Sequence, residues 1–68
     1  MTEAEEQALR AKLAGLLQEH RDLDVAIAAM AEQGVTDQLQ ISRLKKRKLQ
    51  LKDQIALIED TLVPDIIA

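Results

Sequence analysis

Residues 41–62 of this 68-residue chain, ISRLKKRKLQLKDQIALIEDTL, decide its fold because their apolar side chains recur every three or four positions. The repeat runs through Ile41, Leu44, Lys48, Leu51, Ile55, Ile58 and Leu62. Spacing of this kind places one stripe of side chains along a helix and is typical of a left-handed coiled coil. The stretch therefore predicts a long amphipathic helix whose apolar seam is interrupted by one cation, Lys48.

The N-terminal half of the chain carries a matching seam. Its members are Leu9, Leu13, Leu16, His20, Leu23, Ile27 and Met30. Between the two seams, Gly34 suits the left-handed residue that ends a helix, and Thr36 or Asp37 suits the N-cap of the next helix. Pro64 should stop the second helix because it lacks a backbone donor. The predicted boundaries are helix 3–33, turn 34–36, helix 37–62 and tail 63–68, all within one domain of residues 1–68.

Folding the chain back at the turn gives a specific antiparallel register, in which the numbers of opposed seam residues sum to 71. The layers are Leu9–Leu62, Leu13–Ile58, Leu16–Ile55, His20–Leu51, Leu23–Lys48, Ile27–Leu44 and Met30–Ile41. With the seam at heptad positions a and d, the flanking e positions pair Arg10 with Glu59 and Asp24 with Lys45, which are opposite charges. We therefore predict an all-α fold, an antiparallel two-helix coiled-coil hairpin, although two chains paired antiparallel would use the same layers.

The composition limits the possible functions. The chain has no cysteine, no aromatic residue and a net charge of −3. Disulfide frameworks, Cys-based zinc sites, thiol catalysis and aromatic base-stacking surfaces are therefore excluded. The N-terminus is acidic where a signal peptide is basic, and no apolar run reaches the ~18 residues that span a bilayer. We expect a cytoplasmic protein that does not bind membranes.

A lone hairpin would leave large apolar side chains outside its seam. These are Leu17, Val25, Leu39, Leu49 and Leu57. Helix 1 also carries small residues that allow close helix approach, namely Ala8, Ala11, Ala14, Gly15, Ala28 and Ala29. In so short a chain, the free energy gained by burying apolar surface is nearly cancelled by the conformational entropy lost on folding. We therefore expect a homo-oligomer, with a dimer of hairpins forming a four-helix bundle favoured; scattered apolar residues on a monomer are the alternative.

One arrangement of residues resembles a known family. It consists of Glu19, His20, Leu23, Asp24 and Ile27 on helix 1, followed by LKKRKLQLKD at 44–53 and Ile55 on helix 2. Over about residues 13–58 the chain resembles the YdcH-like family, small bacterial proteins whose domain is of unknown function. The resemblance implies a helical hairpin and no known enzyme activity, and it supplies no functional residues to carry over.

Catalytic and metal-binding chemistry finds little support in the sequence. His20 and Asp24, one helical turn apart, could supply two metal ligands, but no second histidine and no cysteine completes a site. Ser42, the only serine, lies on a helical face turned away from His20. No glycine-rich phosphate loop is present. We expect no enzyme activity, no metal or other cofactor and no small-molecule substrate.

Two polar residues, His20 and Lys48, interrupt the seams. A buried ammonium is costly, so Lys48 must be paired or must extend its head to the edge of the seam. Asp24 and Lys45 lie nearby in the predicted register. The sequence therefore predicts a seam polar cluster of His20, Asp24, Lys45 and Lys48. The cluster would fix the register, because sliding one helix along the other would place charged side chains opposite leucines. A Lys48 side chain that merely bends into solvent is the alternative.

The second helix also carries a basic band. It comprises Arg43, Lys45, Lys46, Arg47, Lys48 and Lys52. Residues 1–33 hold three bases and seven acids, a net of −4, and residues 53–68 hold four acids and no base. We expect the band to complement the acidic helix 1 of the same or a second chain. An acidic protein partner is possible, and nucleic acid is less favoured because the charges point round several faces.

The sequence thus predicts a small structural or protein-interaction module that acts through its coiled-coil hairpin. The alternative function is that of a nucleic-acid-binding accessory protein, which would use the basic band at residues 43–52. Titration against DNA and RNA distinguishes the two.

Overall fold

The computed structural model describes residues 1–34 and 37–62, which form two helices, α1 (Glu3–Glu32) and α2 (Gln38–Leu62). Placed end to end, the 30 and 25 residues of these helices would span about 80 Å at 1.5 Å per residue. The longest dimension of the molecule is only 47 Å, close to the length of α1 alone. The two helices therefore lie side by side, and the predicted all-α helical hairpin is confirmed.

Helix α1 begins where the sequence predicts, because Thr2 caps it. The Thr2 hydroxyl accepts a hydrogen bond from the Glu5 backbone N–H at 3.1 Å, and the Glu5 carboxylate accepts one from the Thr2 N–H at 2.9 Å. Together these bonds satisfy two of the donors that a helix N-terminus leaves unpaired. The bond from the Thr2 backbone, helped by the Thr2 hydroxyl, lowers the pKa of Glu5.

The helix ends nearest the turn differ from the predicted ends by one residue each. Gln33 is the C-cap of α1, and its N–H donates to the Ala29 carbonyl at 3.0 Å. Gly34 follows with φ +71°, in the left-handed region that favours glycine. Asp37 caps α2 through a 3.1 Å hydrogen bond from the Gln40 N–H to its carboxylate. The predicted boundaries at 33 and 37 thus fall on capping residues, which lie just outside the helices.

Two further sequence predictions fall outside the described residues. These are the remainder of the turn, residues 35–36, and the tail at 63–68 with the stop at Pro64.

The core lies in the half of the hairpin away from the turn. Its buried members are Leu16, Leu51, Ile55 and Ile58, and the partly buried side chains packed against them are Leu9, Leu13, Leu23 and Leu62. Every one of these eight residues belongs to a predicted seam. Leu51 is completely enclosed, with 0% of its surface exposed. The seam residues nearer the turn, such as Ile27 and Leu44, are only half-buried. The heptad spacing therefore identified the packed stripe correctly.

Candidate interaction surface

Three polar side chains meet midway along the hairpin. The Lys48 ammonium forms a short ion pair with the Asp24 carboxylate, and His20 Nδ1 lies 3.7 Å from Asp24 Oδ2. Lys48 is 37% exposed and Asp24 is 48% exposed, so neither charge is removed from water. The hydrogen bond from Lys48 is the main reason why the pKa of Asp24 is lowered, and the charges of Lys48 and His20 add to it. Lys48 is thus both paired and extended to the edge of the seam.

The fourth predicted member of the seam polar cluster, Lys45, does not join it. Asp24 binds Lys48, and among the described residues no carboxylate lies within 4.0 Å of the Lys45 ammonium. Lys48 competes successfully because it starts from the seam, at position a, beside α1. Asp24 and Lys45, which the register placed face to face, therefore form no ion pair in the described part of the chain.

The second ion pair expected from the e positions, Arg10 with Glu59, is also not formed. Arg10 Nε instead donates to Glu6 Oε2 at 3.3 Å, one turn back along the same helix. Residues four apart on a helix are neighbours without any help from a second helix. In the part of the chain that the structure describes, Glu59 consequently has no cation within 4.0 Å.

An ion pair that the sequence analysis missed joins the helices on the opposite side of the seam. Arg47 donates to Glu19 Oε2 twice, from Nη2 at 2.9 Å and from Nε at 3.1 Å. Both residues occupy heptad position g, and g positions face each other in an antiparallel pair just as e positions do. In the predicted register Glu19 faces Gln54 and Arg47 faces Ala26, so the register did not indicate this pair, which the long Arg47 side chain forms diagonally. We call this side, with Glu19 and Arg47, the ion-pair edge.

The basic band is thus partly neutralised by α1. Two of its six cations, Arg47 and Lys48, bind carboxylates of α1. The other four, Arg43, Lys45, Lys46 and Lys52, are exposed. Because Glu19 and Asp24 lie against the band, the positive surface is interrupted by negative charge on both sides of the seam.

The side of the seam opposite the ion-pair edge is open. Two adjoining depressions of about 590 and 260 Å³ lie there, and they share Lys48 and Leu49. Together they form one groove, lined by Leu17, His20, Ile27, Lys45, Lys48, Leu49, Lys52, Ile55, Ala56 and Glu59. Leu17 is 47% exposed and Leu49 is 62% exposed, so two large aliphatic side chains border the groove in water. The other predicted off-seam residues, Val25, Leu39 and Leu57, are exposed too.

Two other kinds of site are absent from the described residues. Among them no group of three His, Asp or Glu residues is arranged to hold a metal ion. Neither α1 nor α2, over its described length, has an apolar stretch sufficient to cross a membrane. The surface that stands out is therefore the groove, with its exposed leucines and unpaired charges.

Comparison with known proteins places the chain in a family. A family model described as "Protein of unknown function (DUF465)" matches residues 13–59, more than two-thirds of the chain and almost the same span as the resemblance found in the sequence. That resemblance is confirmed, because the YdcH-like proteins are members of this family. No curated protein and no solved structure matches the chain. By its sequence over both helices, then, the chain belongs to the DUF465 family of proteins of unknown function.

Proposed function

We propose that this hairpin is a structural module that acts by binding other protein surfaces, in the first place those of a second hairpin. The observation that carries the proposal is the exposure of Leu17 and Leu49 beside an open groove. Isolated apolar residues on a surface are ordinary. Here two leucines border the same groove and the buried Ile55 reaches its wall, so aliphatic side chains are grouped there among Lys48, Lys52 and Glu59. Burying this grouped aliphatic area would favour association with another protein surface.

The energetics of a small chain support the same conclusion. Only four side chains are buried in the described part of this hairpin, and all four belong to one row between the two helices. A core of this size supplies little free energy beyond the entropy lost on folding. Covering the groove with a second protein surface would bury further aliphatic area and stabilise both helices.

The electrostatics favour a protein partner over nucleic acid. Phosphate binding gains from a continuous positive surface, since each phosphate contact releases a counterion. In this hairpin Arg47 and Lys48 bind carboxylates of their own chain, and those carboxylates lie beside the remaining cations. A nucleic acid would meet Glu19 and Asp24 together with the band, which weakens its binding.

The test is the mass and helicity of the full chain in solution. We expect analytical ultracentrifugation from micromolar to millimolar concentration to show a reversible increase in mass, with helical circular dichroism rising in parallel. Replacing both Leu17 and Leu49 by Gln should shift the association to higher concentration. Replacing Leu39 by Gln is the matched control, because Leu39 is equally exposed but does not line the groove. A folded monomer at every concentration would contradict the proposal.

A further inference from the structure

We propose that the groove binds a second copy of this chain in antiparallel orientation, so that Lys45 of each copy pairs with Glu59 of the other. This inference rests on the proposed function and adds to it the surface, the partner and the orientation. The observation behind it is the distribution of charge along the groove. Lys45 lines the part nearer the turn, and Glu59 lines the part farther from the turn.

Lys45 and Glu59 cannot satisfy each other within one chain. Fourteen positions separate them on α2, which is about 21 Å at 1.5 Å per residue. Among the described residues, neither has an opposite charge within 4.0 Å, since Asp24 is bound by Lys48 and Arg10 by Glu6. The groove therefore carries an unpaired positive charge at one end and an unpaired negative charge at the other.

A surface with this arrangement is complementary to itself. A two-fold axis that lies between two stacked hairpins and perpendicular to their helices brings the α2 helices together antiparallel. If Lys45 faces Glu59 of the other copy, each α2 residue faces the residue whose number makes the sum 104. Leu49 then faces Ile55 of the other copy, so the exposed leucine packs on the apolar wall of the opposite groove. A parallel pair would instead oppose Lys45 to Lys45 and Glu59 to Glu59.

The same symmetry places Lys52 at the midpoint, facing its own counterpart. Two like charges repel, so their long side chains must extend to the rim of the interface. Replacing Lys52 by Gln should therefore tighten the dimer about two- to fivefold, and the gain should shrink as salt is added. A looser dimer on this substitution would contradict the placement of Lys52 at the two-fold axis. A parallel pair also opposes Lys52 to its counterpart, so the orientation is tested by the charge exchange at Lys45 and Glu59.

The decisive experiment exchanges the two charges. We expect Lys45→Glu and Glu59→Lys each to weaken the homodimer about tenfold, because each replaces two attractive contacts by two repulsive ones. An equimolar mixture of the two variants restores both attractive contacts. It should form a heterodimer of wild-type affinity, which native mass spectrometry detects when one variant is labelled with ¹⁵N. The double variant Lys45→Glu/Glu59→Lys should likewise dimerise as the wild type does. Lys46→Glu, an exposed cation outside the groove, is the matched control.

The outcomes separate this inference from the proposed function. If the wild type dimerises but the charge variants dimerise equally well and mix at random, another surface forms the dimer, and only the inference fails. If the wild type stays monomeric at millimolar concentration, the proposed function and the inference both fail. Circular dichroism of each variant shows whether the helices have formed, and the mixing experiment compares two variants in the same tube, so a loss of helicity in one variant cannot imitate heterodimer formation.

Discussion

The ion pairs on the two sides of the seam differ in geometry, although neighbouring residues of α2 supply the cation of each pair. Arg47 extends to the ion-pair edge and binds Glu19, while Lys48 extends to the groove side and binds Asp24. At the ion-pair edge the contact joins the helices across position g. On the groove side Lys48 starts from the seam itself, and Leu17 and Leu49 remain in water beside it.

This difference shows that the basic band both joins the two helices and leaves cations at the surface. Two adjacent cations hold α1 against α2 from opposite sides of the seam, and the remaining cations stay at the surface. At the ion-pair edge, Arg47 and Glu19 bridge the two helices directly. On the groove side the seam residue is Lys48, and Leu17 and Leu49 beside it stay exposed. We therefore expect a partner to bury more aliphatic surface by binding on this side.

The largest effect should come from the core that both sides share. Replacing Leu51, which is fully enclosed, by Ala should lower the free energy of unfolding by ~2–5 kcal/mol because it removes packed methyl groups and leaves a cavity. Gln50, its exposed neighbour, is the control, and its replacement by Ala should change stability by less than ~0.5 kcal/mol. Urea titrations followed by circular dichroism measure both. Equal losses would mean that the seam is misassigned.

A smaller effect is expected at Lys48, and it tests what the seam lysine does. Replacing Lys48 by Leu extends the apolar seam and should leave stability level or raise it by up to ~1 kcal/mol, since the exposed ion pair with Asp24 contributes little. The same change removes the charge that penalises slipped pairings, so the assembly should become less uniform in native mass spectra. A clear loss of stability would show instead that the contact with Asp24 is strongly favourable.

The ion-pair edge should contribute still less. Glu19 and Arg47 are each 45% exposed, so the pair should be worth ~0.2–1 kcal/mol in a double-mutant cycle of Glu19→Gln and Arg47→Gln. The contribution should fall in 1 M salt. Neither variant should weaken association of the hairpins, because neither residue lines the groove. A dimer that dissociates on either change would assign the interface to this edge.

The smallest effect is a pH dependence at Asp24. Its pKa is lowered in the folded chain, chiefly by the hydrogen bond from Lys48. The ionised carboxylate therefore adds stability above its unfolded pKa, and that stability is lost as the pH falls through the folded pKa. In thermal melts between pH 2 and 7, the melting temperature of Asp24→Asn should fall less at acidic pH than that of the wild type. Asp53→Asn is the control, since Asp53 is exposed on α2 and outside the groove.

The sequence was sufficient to predict the helical hairpin, but it predicted the ion pairs and the groove less well. Spacing alone identified the seam, because burial depends on which face of a helix a residue occupies. The capping chemistry of Gly34 and Asp37 placed the helix ends nearest the turn within one residue. Heptad positions do not determine which of several long side chains reaches a carboxylate first. The register predicted that Lys45 and Lys48 would both lie near Asp24, and in the structure Lys48 forms the contact.

The groove was the hardest feature to predict. The sequence indicated that Leu17 and Leu49 lie off the seam, but not that they border one continuous depression with Lys45 and Glu59 at its ends. Such a surface depends on the helix separation and on which cations fold back onto α1. Neither quantity can be read from residue spacing.

The most direct test of the account uses single cysteines, which the chain naturally lacks. Lys52→Cys places one at the predicted two-fold axis in the groove, and Gln54→Cys places one on the ion-pair side of α2. Under mild oxidation at a concentration where hairpins associate, we predict that the Lys52→Cys chain forms a covalent dimer rapidly, because its two sulfurs lie within disulfide reach. The Gln54→Cys chain should remain largely uncrosslinked. Equal rates for the two variants, or faster crosslinking of Gln54→Cys, would contradict the assignment of the groove as the binding surface.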